Sequence, residues 1–304
     1  MHVFVTGASG KLGRRVTALL LARGDTVTGL ARSPESADRV SKLGATPVQG
    51  VWTELDLLRA ESAKADAVIH CAYAHEEMMG GAIQKVAADD RAAIGAMVEG
   101  LKSGMTTMTE PKVFIYISGT FGTMGPDEDD PKFRDPGLPR PLSEDLTFEA
   151  RTETLMTVVI RLPPIVHEVE SLHPFLQEMA KAAKKHGFSG YLQADVRWPS
   201  AHYDDVAELC VLALDKAPSG KALHAVDESA ISTKDLAGWV GEELGVETKE
   251  VKKEHAIGHW GFVGMLLGMD NYTTAEKTKG WTGWKPKGKK LLEEMRVRGL
   301  KDYQ

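Results

Sequence analysis

The chain has 304 residues, which is enough for one large α/β domain and a smaller lobe. With 42% hydrophobic and 26% charged residues and a formal net charge of −6, it has the composition of an ordinary globular protein and offers nucleic acid no basic surface. Its two cysteines exclude a disulfide framework and favour a reducing, cytoplasmic compartment, and we expect neither a signal peptide nor a membrane span.

Short apolar runs alternate with longer helical patterns along most of the chain. Strands are expected at HVFVTGA, TVTGLARS, TPVQGVW, DAVIHCAY, KVFIYISGT, TVVIRLPPIV and ALHAVDE. These runs are rich in β-branched residues and almost wholly apolar, which is typical of strands buried on both faces. The alternation predicts an α/β fold built on a doubly wound parallel sheet of the Rossmann type.

The pattern changes after residue 165. Amphipathic helices appear at LHPFLQEMAKAAKKHG and STKDLAGWVGEELG, the second with Ser232 or Thr233 as its N-cap and Gly245 as its stop. We therefore expect a dinucleotide-binding domain over residues 1–165, to which residues 203–227 return. Residues 166–202 and 228–304 would form a smaller substrate-binding lobe.

Three glycines mark the expected cofactor site. Gly7, Gly10 and Gly13 lie between the first strand and the first helix, where they allow a tight turn, close approach of a pyrophosphate and close helix packing. A structural turn without a ligand is the alternative. The backbone amides expected to face the phosphates are those of Ser9, Gly10, Lys11 and Leu12.

The end of the second strand indicates which nicotinamide cofactor binds. An acidic residue there would favour NAD(H), but this chain has Arg32 and Ser33. A guanidinium can clasp a 2′-phosphate with two hydrogen bonds, so the residues favour NADP(H) over NAD(H). The alternative is a solvated arginine on a loop.

The segment TGASGKLG resembles the TGxxGxxG fingerprint of extended short-chain dehydrogenases/reductases, the epimerase/dehydratase branch, and further similarities cover essentially the whole chain. The resemblance implies that VIHCAY brings Ala72 beside the cofactor. It also implies that Ser118 and Thr120 touch the substrate carbonyl, and that Pro163 and Ile165 lie beside the nicotinamide. The segment QGVWTELD departs from the family, because the usual acid near adenine is missing, and Asp56 is either its replacement or a surface charge.

The family's catalytic Tyr-x-x-x-Lys pair is also missing. Counting back from Arg161 places Arg140 at the lysine position, Glu144 at a following glutamate and Pro136 at the tyrosine position. The resemblance thus implies that Arg140 binds the nicotinamide ribose. A proline cannot transfer a proton, so another group must do so if the protein is a redox enzyme.

Four side chains are candidates for that missing proton donor. Tyr73 and His75 follow the fourth strand, His167 follows LPPIV at the expected substrate mouth, and Tyr203 begins a helix. Each is more often a packing residue than a catalytic one. The histidines and cysteines show no metal-ligand spacing, and Cys71 has no basic partner that would activate it.

The sequence favours an NADP(H)-dependent oxidoreductase acting on a small, apolar carbonyl or alcohol, because the second lobe is apolar and aromatic. Three alternatives remain: a nucleotide-sugar epimerase or dehydratase, a redox-neutral isomerase or cyclase that holds NADP as a scaffold, and a non-catalytic NADP(H)-sensing protein. The helix pattern AIQKVAADDRAAIGAMVEGL is a candidate for pairing two copies as a homodimer.

Overall fold

The computed structural model describes residues 1–104, 111–133, 137 and 139–300. Strands and helices alternate along the first half of the chain. They are β1 (His2–Thr6), α1 (Lys11–Arg23), β2 (Thr26–Ala31), α2 (Pro34–Lys42), β3 (Thr46–Gln49), α3 (Leu55–Lys64), β4 (Ala67–His70), α4 (His75–Met79), α5 (Ile83–Ser103), β5 (Lys112–Gly119), α6 (Pro141–Glu149) and β6 (Leu155–Leu162).

The second half mixes short strands with helices of varied length. Its elements are β7 (Ile165–His167), α7 (Pro174–His186), β8 (Ser189–Tyr191), β9 (Arg197–His202), α8 (Tyr203–Lys216), β10 (Lys221–His224), β11 (Glu228–Ser232), α9 (Thr233–Leu244), β12 (Thr248–Glu250), a 3₁₀ turn (Lys253–His255), α10 (Ala256–Trp260), α11 (Phe262–Leu266), α12 (Glu276–Thr282) and α13 (Leu291–Arg298).

The main sheet has seven parallel strands within the described residues, in the order β10-β6-β5-β4-β1-β2-β3. The predicted Rossmann-type doubly wound sheet is confirmed. Its central strands are apolar because helices cover both faces. The chain order reverses between β1 and β4, and ligands of such sheets bind at the carboxyl ends of the strands beside this point.

A second lobe packs against the carboxyl edge of the main sheet. Strand β9 lies between β7 and β11, while β8 pairs with β12. The lobe has its own core, which includes Trp198, Trp260 and Leu291. Helix α9 is capped by Ser232, whose side chain accepts from the Lys234 amide, and is followed by Gly245 in the left-handed region, as predicted.

In the described part of the chain, no helix combines the length and the hydropathy that a bilayer crossing requires.

Candidate functional site

The glycine turn has the geometry of a phosphate cradle. Gly7 has a φ of +66°, and a Cβ there would lie 3.0 Å from the Ala72 amide nitrogen. A Cβ on Gly13 would lie 2.1 Å from the Gly7 carbonyl oxygen, so only glycine lets α1 pack this closely on β1. Gly10 precedes α1 and has no side chain to cap it, which leaves amides of the first turn for an anion. These residues fit a dinucleotide pyrophosphate.

The predicted phosphate-facing residues differ in their side-chain surroundings. Ser9 is half-buried in the turn and Leu12 packs into the core. The Lys11 ammonium donates to the Ser171 hydroxyl and lies 3.1 Å from Glu168, so it already reaches the second lobe. Backbone amides at these positions can bind phosphate whatever their side chains contact.

Glu168 forms ion pairs with three basic side chains at the start of α1. Its carboxylate lies 3.1 Å from Lys11, 3.2 Å from Arg14 and 2.9 Å from Arg15. Burial would raise the pKa of Glu168, but hydrogen bonds from Ser171 and Lys11 and the nearby positive charges lower it to about 2. This contact fixes the second lobe to the helix that begins at the glycine turn.

Arg32 and Ser33 lie together at the carboxyl end of β2. The Arg32 side chain is exposed and, among the described residues, makes no hydrogen bond or ion pair. Ser33 caps α2, with its hydroxyl 3.3 Å from the Ser36 amide. A free guanidinium beside a helix N-terminus suits a phosphate group. Asp56 is fully exposed and pairs with Arg59 at 2.6 Å, as a surface charge does.

A buried polar chain lies beneath the end of β4. The Thr6 hydroxyl oxygen accepts from the Ala72 amide at 3.1 Å and lies 2.7 Å from His70 Nδ1. His70 Nε2 lies 3.3 Å from one oxygen of Asp90, and the Tyr116 hydroxyl donates to the other at 2.7 Å. The sequence analysis did not predict this chain of hydrogen bonds. The available signal was an acidic residue, Asp90, on the apolar face of a helix, and Asp90 is fully buried in the structure.

Tyr73 and Arg140 meet directly above that chain. The Arg140 guanidinium lies 3.9 Å from the centre of the Tyr73 ring and donates to the Ile117 carbonyl at 2.9 Å. Within the described residues, the Tyr73 hydroxyl has no hydrogen-bond partner. Burial raises the pKa of Tyr73, and the charge of Arg140 lowers it in part. The structure therefore brings together two of the predicted site residues.

His75 continues this cluster at the start of α4. Its ring contacts the Tyr73 ring edge-on, with 5.0 Å between centroids. The surrounding protein and the charge of Arg140 lower the pKa of His75 to about 4, so it is neutral at physiological pH. Met78 and Met79 lie half-buried in the same short helix.

The side chains of Ser118 and Thr120 are enclosed by the protein. Ser118 donates to a Glu144 oxygen at 2.5 Å, and the Thr120 hydroxyl accepts from Asn271 Nδ2 at 2.9 Å. Both residues are buried, with 2% and 1% of their surface exposed. Asn271, which sequence reasoning missed, comes from the second lobe and thereby ties it to the end of β5.

Glu144 is the centre of a buried ionic cluster. Its carboxylate lies 2.8 Å from Lys132 and 2.9 Å from Arg161. Burial would raise the pKa of Glu144, but the two cations lower it to about 2. Burial also lowers the pKa of Lys132 to about 8, against the attraction of Glu144. Arg140, Glu144 and Arg161, which the sequence aligns by spacing, thus lie in one region of the structure. Pro136 lies outside the described residues.

The other predicted residues are mostly packed. Pro163 is buried, and Ile165 lies fully buried in the core of the second lobe. His167 does not line a substrate mouth, because it is buried 2.5 Å from Glu294 of α13. The Arg15 guanidinium lies 5.4 Å from the centre of the Tyr203 ring. The contacts of His167 and Tyr203 thus agree with the interpretation of both as packing residues.

Neither metal nor thiol chemistry finds support in the parts of the chain that the structure describes. No three His, Cys, Asp or Glu side chains there come together as a metal site. Burial raises the pKa of Cys71 to about 12, which leaves its thiol protonated and unreactive at neutral pH.

Comparison with known proteins agrees with this geometry. A family model described as NAD(P)H-binding matches residues 7–127. The uncharacterised Schizosaccharomyces pombe protein C2A9.02 is 34% identical over 97% of this chain and 98% of its own. A Stigmatella aurantiaca ketoreductase, acting on 4-hydroxy-2-methyl-3-oxo-4-farnesyl-3,4-dihydroquinoline-1-oxide, is 26% identical over 82% of this chain and 75% of its own.

Solved structures show the same fold. The UDP-glucose 4-epimerase of Thermotoga maritima superposes with a TM-score of 0.70 at 16% identity, covering 100% of this chain and 98% of its own. The chain belongs to the NAD(P)-binding short-chain dehydrogenase/reductase family and shares the fold of its epimerase/dehydratase branch. The resemblance seen in the glycine motif is confirmed.

Proposed function

We propose that this protein is an NADP(H)-dependent oxidoreductase that interconverts a small, apolar carbonyl compound and its alcohol. The observation that carries the proposal is Tyr73, whose hydroxyl has no partner among the described residues and whose ring lies 3.9 Å from the Arg140 guanidinium. Tyr73 directly follows Ala72, whose amide lies against Gly7 of the glycine turn. A tyrosine next to a fixed cation is the pair of groups that a carbonyl reductase needs.

The preference for NADP(H) rests on Arg32 and the N-terminus of α2. Arg32 is exposed and Ser33 caps the helix, so a 2′-phosphate would meet a guanidinium, a hydroxyl and helix amides together. No acidic residue stands at the end of β2 to hold the two ribose hydroxyls of NAD(H).

In the proposed reaction, Tyr73 and Arg140 have different roles. The bound nicotinamide supplies or accepts the hydride. In reduction, the Tyr73 hydroxyl donates its proton to the substrate oxygen, and the Arg140 charge 3.9 Å from the ring stabilises the phenolate that remains. Water then returns a proton to Tyr73.

Ser118, Thr120 and Arg140 take supporting roles in this proposal. In this proposal Arg140 also contacts the nicotinamide ribose, which is the role that the family resemblance implies for it. Ser118 and Thr120 are enclosed, so they hold the end of β5 through Glu144 and Asn271 and contact substrate only if the lobes separate. The apolar substrate class is supported by the half-buried aromatic residues that pack against the core of the second lobe and by the farnesylated substrate of the Stigmatella relative.

The test measures the reduction of a panel of apolar ketones by the decrease in NADPH absorbance. Tyr73→Phe should lower kcat at least a hundredfold, because it removes only the transferable proton, while NADPH still binds. Tyr191→Phe is the matched control, since Tyr191 also has a cation over its ring but lies in β8 of the second lobe. Full activity of Tyr73→Phe, or NADPH binding without oxidation by any ketone, would contradict the proposal.

A further inference from the structure

Asp90 of α5 links two neighbouring strands of the main sheet near their carboxyl ends. His70, the last residue of β4, lies opposite Tyr116 of β5 in the sheet register, and their rings stack with 6.0 Å between centroids. One Asp90 oxygen lies 3.3 Å from His70 Nε2, and the other accepts from the Tyr116 hydroxyl at 2.7 Å. All three residues are buried, with at most 1% of their surface exposed. With Thr6 of β1 they form what we call the Asp90 network.

The carboxylate sets the direction of each hydrogen bond in this network. Burial would raise the pKa of Asp90, but His70 and the charge of Arg140 lower it, so the group is ionised at neutral pH and only accepts. His70 Nε2 and the Asp90 oxygen that faces it are buried and have no hydrogen-bond partner elsewhere in the described residues, so the ring proton belongs on Nε2. Nδ1 of the neutral ring then accepts from the Thr6 hydroxyl at 2.7 Å, and the Thr6 oxygen accepts from the Ala72 amide at 3.1 Å.

The two branches of the network end beside the two halves of the Tyr73–Arg140 contact. The first branch ends at the Ala72 amide, and Ala72 directly precedes Tyr73. The second branch ends at Tyr116, and the next residue, Ile117, accepts from Arg140 through its carbonyl at 2.9 Å. The 3.9 Å approach of the Arg140 guanidinium to the Tyr73 ring therefore depends on how the ends of β4 and β5 are held relative to each other.

We propose that Asp90 is a positioning residue of the site, and that its carboxylate holds Tyr73 against Arg140 by fixing the ends of β4 and β5. This rests on the proposed function and adds to it a buried residue that acts only through others. Proton transfer needs the donor within hydrogen-bond reach, and a misplacement of about 1 Å can lower a rate about a hundredfold. Loss of the network should therefore lower kcat. The NADPH affinity should change little, because the amides expected to face the phosphates belong to the start of α1.

The experiment measures ketone reduction and NADPH affinity in Asp90→Asn and Thr6→Val. Asparagine keeps the shape but offers one acceptor oxygen to two donors, and valine removes the hydroxyl between His70 and Ala72. We expect each variant to lower kcat by about tenfold or more, with the NADPH Kd within about threefold of the wild type. Thr6→Ser, which keeps the hydroxyl, should recover most of the rate.

The same substitution in a Tyr73→Phe background shows whether the network acts through Tyr73. There, Thr6→Val should lower kcat by less than about twofold, because the group that it positions has already lost its proton. A further loss of about tenfold in that background would show that the network acts on a different group, and would overturn the inference.

Two matched controls separate this role from general damage to the fold. Asp89→Asn removes the neighbouring carboxylate of α5, which pairs with Lys85 at the surface at 2.8 Å. Thr157→Val removes a buried strand hydroxyl that has no hydrogen-bond partner in the described part of the chain. Both controls should leave kcat and NADPH affinity unchanged.

A second readout needs no turnover. In NMR spectra of protein with labelled tyrosine, the Tyr73 signal is one of six and is identified by its absence from Tyr73→Phe. Asp90→Asn and Thr6→Val should both shift this signal, since they move the ring relative to Arg140, and the two controls should not. Such shifts in a protein that reduces no ketone would uphold the inference and contradict the proposed function. Wild-type kcat in both variants, or an unshifted Tyr73 signal, would overturn the inference and leave the proposed function standing.

Discussion

The Glu144 carboxylate is the best example of a residue whose charge the fold depends on. Replacing it with glutamine leaves Lys132 and Arg161 buried without their partner. We expect Glu144→Gln to lower the free energy of unfolding at pH 7 by about 3–5 kcal/mol in urea titrations. Glu149→Gln, at an exposed position of the same helix, should change it by less than about 0.5 kcal/mol.

The pH dependence gives a second measure of the same group. The pKa of Glu144 falls from 4.5 to about 2 on folding, so its contribution is fully present above pH 4.5 and is lost as the pH falls toward 2. In the wild type, protonation of Glu144 should make the free energy of unfolding fall more steeply as the pH drops from 4.5 toward 2. If Glu144→Gln shows the same fall in this pH range, the carboxylate contributes nothing to stability there.

At the residue scale, the sequence predicted site residues that lie near the ends of strands. It missed residues whose role depends on contacts between different parts of the fold. The sequence predicts both Arg140 and Tyr73 as site residues, and the Arg140 guanidinium lies 3.9 Å from the centre of the Tyr73 ring. The sequence did not predict Lys132, which lies between β5 and α6 outside any helix or strand, or Asn271, which is 151 residues from its partner Thr120. The family resemblance implies that Ser118 and Thr120 contact substrate, but spacing alone does not reveal that both hydroxyls already have hydrogen-bond partners.

Helix α1 shows how one element makes the cofactor site. A methyl group on Gly13 would lie 2.1 Å from the Gly7 carbonyl, so Gly13→Ala must push α1 away from β1. We expect a loss of about 1–3 kcal/mol of stability and at least tenfold weaker NADPH binding. Thermal unfolding and fluorescence titration measure the two effects.

Gly95→Ala is the matched change in α5, where a Cβ would meet nothing within 4 Å. Alanine there should stabilise the protein by roughly 0.5–1 kcal/mol, since glycine is a poor helix former. If Gly13→Ala behaves like Gly95→Ala, the close approach of α1 to β1 is not needed for either stability or cofactor binding.

At the element scale, each of the seven strand runs predicted from the sequence contains a strand of the main sheet, although TVVIRLPPIV also extends into β7 of the smaller sheet. Their long apolar runs carry the signal, because such strands are buried on both faces. The short strands β8, β9, β11 and β12 went unrecognised. They are three to six residues long and partly polar, so their pairing depends on tertiary contacts rather than on local pattern.

At the scale of the whole molecule, polar contacts hold the second lobe over the main sheet. Glu168 binds the cations of α1, and Asn271 binds Thr120. Sequence indicated that a second lobe exists, but not these contacts, since buried pairs of distant residues leave no periodic signal. The pairing of two copies through α5 stays a prediction.

The most direct test of the account is a fluorescence titration of the protein with NADPH and NADH, repeated on Arg32→Asp and on Arg39→Asp. The second variant removes another exposed arginine from the neighbouring helix α2 and serves as the control. We predict micromolar or tighter NADPH binding that Arg32→Asp weakens at least tenfold, or about 1.4 kcal/mol, with NADH affinity and Arg39→Asp unaffected. Binding of neither nucleotide, or an NADPH preference that Arg32→Asp leaves intact, would contradict it.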